Sequence, residues 1–234
     1  MKKSLLFLVF VSVFVNAFPQ GEKADCESAA PIDYDGNRYA TVQIGEQCWM
    51  KENLRATHYM DGTLLEFGAP ISLSAEYFYP NGFKNHVAKY GLLYKGSVVF
   101  NPAGICPKGW HVPTDEEWTQ LTDYVGSQSQ YLCAGNADYI AKALSCTSGW
   151  TEATDGCSAG HNSVKNNATG FSAMPAGYCS DTDYLSFGQG TAFWTSTKKS
   201  TYEIYYRFIV NPQPFVNRDY KTFARAFSIR CIRD

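Results

Sequence analysis

No two cysteines lie closer than eleven residues apart in this sequence, although it holds eight of them. That absence removes the tight spacing of a zinc knuckle and the Cys-x-x-Cys of a thiol oxidoreductase. No apolar run is long enough to span a bilayer: Leu5–Val15 covers about eleven residues, against the roughly 18 or more that a membrane helix requires. A basic excess is missing too, with 20 Lys and Arg against 22 Asp and Glu, which argues against a nucleic-acid partner. Asp33, Asp35 and Asn37 resemble a run of calcium ligands. Gly36 is misplaced for an EF-hand, however, and no glutamate closes the loop, so a hairpin turn is the better reading. Internal repeats and low-complexity tracts are absent.

What is there begins with an export signal. Lys2 and Lys3 precede the apolar Leu5–Val15, and Val15-Asn16-Ala17 supplies the modest side chains a signal peptidase accepts. Residues 1–17 are therefore read as a signal peptide, leaving 217 of 234 residues. The signal holds two lysines and no acid, so its loss takes the formal charge from -2 to -4. Cys26 follows Lys23-Ala24-Asp25, the wrong chemistry for a lipid anchor. A soluble exported protein with no transmembrane anchor is expected, and its eight cysteines then read as disulfides. Residues 18–32 read as a flexible leader and 33–234 as one folded domain.

Local patterns give the elements. From Tyr39 the chain alternates, with Ala40, Val42 and Ile44 on one side and Tyr39, Thr41 and Gln43 on the other, a half-buried strand. Thr114 and Glu117 form a capping box, after which Trp118, Leu121 and Val125 recur on one helical face up to Gly126. Asp115, Glu116 and Glu117 sit where the helix dipole favours negative charge. A second helix is expected over 138–144, and strands over 170–178, 191–197, 203–210 and 223–234. Separated rather than alternating helices and strands make this an α+β domain.

The strings "DYDGNRYATVQIGEQCWMKENLR", "GICPKGWHVPTDEEWTQLTDYVG", "IAKAL", "NNATGFSAMPAGY", "FWTST" and "FSIRCIRD" occur in this order. Together they resemble the Fibrobacter succinogenes major paralogous domain family, abundant in exported proteins of the Bacteroidetes. The resemblance implies a C-type-lectin-like fold, with two helices flanking antiparallel sheets, long aromatic-rich loops and disulfide staples. It also implies that the first and last strands pair and that Cys106, near the first helix, bonds Cys231. That bond is a better use of Cys106 than a thiol nucleophile served by His111. The other pairs assigned are Cys26 with Cys48, Cys133 with Cys157 and Cys146 with Cys179, although spacing does not fix connectivity.

No established activity accompanies the family. Formylglycine-generating enzymes, in the same fold group, use two neighbouring cysteines near their C-terminus to bind copper, whereas this chain has only Cys231 there. Calcium-binding lectins of that group carry a Glu-Pro-Asn type loop and a Trp-Asn-Asp type strand. Here the strand position reads Phe193-Trp194-Thr195-Ser196-Thr197, without the carboxylate. No catalytic residue, cofactor or metal is therefore assigned. The remaining signal is a crowd of aromatics after Gly177, which can stack on sugars or anchor a protein. Tyr178, Asp183, Tyr184, Trp194, Tyr205 and Tyr220 are the candidate ligand residues, for an unidentified surface glycan or protein. An exported, non-catalytic recognition or adhesion module is expected. The alternatives are an oxidase related to the formylglycine generators and a structural component of the cell envelope.

Overall fold

The computed structural model describes Cys26, Ser28 and residues 30–234. The expected signal peptide lies outside the described residues, as does most of the expected leader. In chain order the elements are β1 (Thr41–Ile44), β2 (Gln47–Met50), β3 (Tyr77–Phe78), α1 (Val87–Tyr90) and β4 (Leu93–Lys95). Next come β5 (Trp110–His111), α2 (Asp115–Ser127), α3 (Ala141–Leu144), β6 (Tyr178–Cys179) and β7 (Tyr184–Leu185). The chain finishes through β8 (Gly190–Lys198), β9 (Glu203–Val210), β10 (Asn217–Thr222), β11 (Ala226–Phe227) and β12 (Ile232–Arg233).

These strands make three sheets, ordered β1-β2-β12-β5, β10-β9-β8 and β3-β4-β11-β6-β7. Every strand pair within them is antiparallel. Few helices and several antiparallel sheets fit the mixed α+β class. The first strand does not pair with the last: β12 lies between β2 and β5, and β1 is the outer strand. The reason is the short hairpin at Gly45, which reaches a φ of 59° and folds β2 inward. β2 then buries Cys48, Trp49 and Met50, whereas β1 buries only Ile44. Tyr39 breaks the expected alternation. It precedes β1 and is buried, its phenol donating to Asp33 inside the turn at 33–37.

The α2 helix starts as its sequence dictates. The Thr114 hydroxyl accepts from the Glu117 amide at 3.1 Å, and the Glu117 carboxylate accepts from the Thr114 amide at 2.7 Å. Trp118, Leu121 and Val125 are its buried face. The second helix is shorter than expected, because Asn136 and Asp138 accept backbone bonds in a turn and leave only Ala141–Leu144 helical. Strand β10 was not foreseen: its sequence NRDYKT has no apolar alternation, as suits an edge strand. The strand expected over 170–178 shrinks to β6, and that over 223–234 divides into β11 and β12.

Strand β8 separates two aromatic clusters. Phe193 joins Trp118 and Phe171 with centroids at 5.4 and 6.0 Å, while Trp194 on the opposite face meets Phe227 at 4.3 Å. Beside the first cluster lies the fully buried Arg230. Its guanidinium donates to Asn53 Oδ1 at 2.6 Å and to the carbonyls of Phe171 and Ser172, and it sits 4.3 Å from the Phe171 ring centroid. Burial pushes its pKa down to about 9.

Cys26–Cys48, Cys106–Cys231 and Cys133–Cys157 are bonded, with Cα separations of 5.6, 6.0 and 5.5 Å. The fourth expected bond does not form: Cys146 and Cys179 are both free and buried. They belong to different parts of the core, Cys146 beside Trp150 and Phe171, Cys179 beside Phe78 and Leu93. Each thiol lies near a backbone carbonyl instead, that of Ser148 at 3.0 Å and that of Ser180 at 3.2 Å. Burial pushes both thiols up, Cys179 to about 12, which makes them poor nucleophiles.

Candidate functional site

Strands β9 and β10 fix which aromatics share a face. Tyr206 stands opposite Asp219 and Phe208 opposite Asn217, so these four side chains share one side of the three-stranded sheet. Tyr205 stands opposite Tyr220 and Arg207 opposite Arg218, on the other side. Against the first side lie β6, β7 and β11 of the five-stranded sheet, and the space between holds a pocket of about 330 Å3. Tyr178, Tyr206, Phe208 and Phe227 form its aromatic wall, with Lys221 and Arg225 contributing charge.

The wall is internally braced. Tyr206 and Phe208 stack at 5.3 Å, and Tyr178 meets Phe227 edge-on at 5.8 Å. The Tyr206 hydroxyl donates to Asp219 at 3.4 Å, and burial pushes its pKa up, so the phenol stays neutral. Lys221 reaches the same carboxylate at 3.4 Å, and Arg225 stands 3.8 Å from Asp181. An apolar wall edged by a few polar groups is the usual make-up of a small-molecule site, and 330 Å3 falls at the small end of the ~300 to 1,000 Å3 range for such sites.

The model of the Fibrobacter succinogenes major domain matches residues 42–233. The chain belongs to that family. The matched span runs from β1 to β12, so the pocket and all three sheets lie inside this Fibrobacter succinogenes major domain. No curated protein and no solved structure matches the chain.

The candidate residues fall in separate places. Tyr178 lines the pocket. Tyr184 lies over the Gly82 turn, where an added Cβ would come within 3.0 Å of its ring, and Asp183 is exposed in the turn between β6 and β7. Trp194 must be withdrawn as a ligand residue: it is fully buried, and its indole donates to the Tyr94 carbonyl at 2.8 Å. Tyr205 and Tyr220 do meet, edge-on at 6.2 Å, with Arg218 3.9 Å from the Tyr205 ring centroid, but on the face turned away from the pocket. Sequence reasoning missed Tyr206 and Phe208 as site residues, although their shared strand parity could have grouped them. Nothing in the local sequence marks Lys221, Arg225 or Phe227.

His111, just before the three acids of the first turn of α2, is a clasp. Its Nδ1 meets the Asp234 carboxylate at 2.7 Å and its Nε2 meets Glu117 at 2.9 Å. The bond to Glu117, aided by that to Asp234, raises the His111 pKa above its ordinary value. Burial opposes ionisation of Glu117, but the bonds from His111 and Thr114 outweigh it and lower its pKa. The stability His111 contributes is therefore full below its ordinary pKa of about 6.5 and fades as pH rises through the higher folded value. That from Glu117 is full above about 4.5 and fades as pH falls through the lower folded value. His111→Gln should thus lower the melting temperature more at about pH 5.5 than at about pH 8.5. Thermal melts at the two pH values check this, and an equal loss at both contradicts it. Among the described residues, no group of three or more His, Cys, Asp or Glu could hold a metal ion.

Proposed function

We propose that this domain is an exported, non-catalytic recognition module on a C-type-lectin-like frame, binding a surface glycan or protein in the pocket between β9 and β11. The observation that carries the reading is the aromatic wall of the pocket, in which Tyr178 and Phe208 are half-buried and backed by the buried Tyr206 and Phe227, with charge at its edge. Rigid strands hold that wall, as a binding site requires. Export is supported by the pattern of residues 1–17 and by three disulfides, which persist in oxidising compartments. Among the described residues no helix is long and apolar enough to cross a membrane. The Cys106–Cys231 bond joins the approach to α2 with the stretch before β12, the link that the lectin-like resemblance implies.

The test is binding of the purified chain to arrays of glycans and of cell-surface proteins, repeated with Phe208→Ala. Loss of a half-buried aromatic from the wall should weaken binding at least about tenfold, ~1.4 kcal/mol, with the fold intact. Binding that survives Phe208→Ala undiminished, or no binding to either array, overturns the reading.

A further inference from the structure

We infer that the pocket selects an acidic saccharide, one carrying a carboxylate or sulfate; this rests on the recognition reading above. The formal charge of the chain is -2, yet the charged residues lining the pocket are Lys221 and Arg225 alone. Each cation has a carboxylate nearby, Asp219 and Asp181, but neither carboxylate lines the pocket, so the charge presented to a bound group is positive and favours an anion.

Neither cation is saturated. Charge-assisted bonds run near 2.7–2.9 Å, whereas Lys221 stands 3.4 Å from Asp219 and Arg225 stands 3.8 Å from Asp181. Both pairs are substantially exposed, the kind of contact that contributes ~0 to 1 kcal/mol and yields to a better partner. Lysine carries three donors and arginine five, so each keeps capacity for a ligand oxygen.

The rest of the lining suits a sugar. The rings of Phe208 and Tyr178 are half-buried, which leaves apolar surface for the C–H face of a pyranose. Ser186 stands on the wall at a φ of 58°, an uncommon conformation for serine, with its carbonyl held by the amides of Gln189 and Gly190. It offers a hydroxyl in a fixed backbone frame. A pocket of about 330 Å3 accommodates a unit of one or two sugars rather than a long chain.

The experiment is calorimetric titration of the full chain with uronate-containing and sulfated oligosaccharides, their carboxyl-reduced and desulfated counterparts, and an acidic peptide. Acidic sugars should bind at least about tenfold tighter than the neutral forms and weaken between about 50 and 500 mM salt. Arg225→Gln should weaken them by a similar factor at unchanged melting temperature. Asp181→Asn, which removes the competing carboxylate, should tighten them. Neutral sugars that bind equally well, and lose binding with Phe208→Ala, overturn the acidic selectivity while leaving the recognition pocket standing. Preference for the acidic peptide over every sugar overturns it as well. Absence of all binding in this titration overturns the acidic-saccharide inference, whereas the recognition reading falls only if the glycan and protein arrays are silent too.

Discussion

Replacing Asp115 by alanine should destabilise the domain by about 3 to 5 kcal/mol, the range for leaving one partner of a buried ion pair uncompensated. Read from the sequence, Asp115 is one of three acids in the first turn of α2, worth up to ~1 kcal/mol through the helix dipole. The fold gives it a larger task. Arg207 is 5% exposed, and its Nε donates to Asp115 Oδ1 at 2.9 Å. Its Nη2 donates to the Asp115 carbonyl at 2.9 Å and to Thr119 at 2.8 Å. Arg218 donates to the other carboxylate oxygen at 2.8 Å. One aspartate thus joins the start of α2 to β9 and β10, and without it the Arg207 guanidinium is buried with no carboxylate. Glu116→Ala, at the exposed neighbouring position, should cost under about 1 kcal/mol. Urea unfolding of the two variants checks the contrast, and equal costs would contradict the buried role.

The second large effect belongs to Cys106–Cys231. Its cysteines are 125 residues apart, and the chain-entropy relation gives about 5 kcal/mol for a loop of that length. Cys133–Cys157, at a separation of 24, should contribute about 3.5 kcal/mol on the same relation. Packing widens the gap: Cys106 and Cys231 are buried in the same cluster as Ile105 and Ile229, so their loss also opens the core. The double alanine variants should therefore differ in urea midpoint, with the Cys106/Cys231 variant the less stable. The reverse order would show that the long loop is held by other contacts.

Local chemistry was legible in the sequence, and pairing across the chain was not. The Thr114–Glu117 capping box and the buried stripe of α2 depend on residues within one helix, whereas alternation in β9 breaks at its middle, where Tyr206 and Arg207 are both buried, the arginine by its bond to Asp115. The bonds from Arg207 and Arg218 to Asp115 cross 92 and 103 residues, and no local pattern announces them. Trp194 was misjudged because aromatic identity does not say which face a residue takes, and β8 buries both of its faces. The expected Cys146–Cys179 bond followed from the even number of cysteines, yet each thiol lies in its own core cluster. The pocket itself needs β6, β9 and β11 brought together, and Lys221 comes from an edge strand too polar to be recognised.

The most direct measurement is an NMR titration of the isotope-labelled domain with the saccharide that binds best, following aromatic and arginine side-chain signals. The pocket account predicts shifts at Tyr178, Phe208 and Arg225, with Tyr205 and Tyr220 unmoved on the far face of the sheet. Shifts confined to Tyr205 and Tyr220 would contradict it and place recognition on the opposite surface.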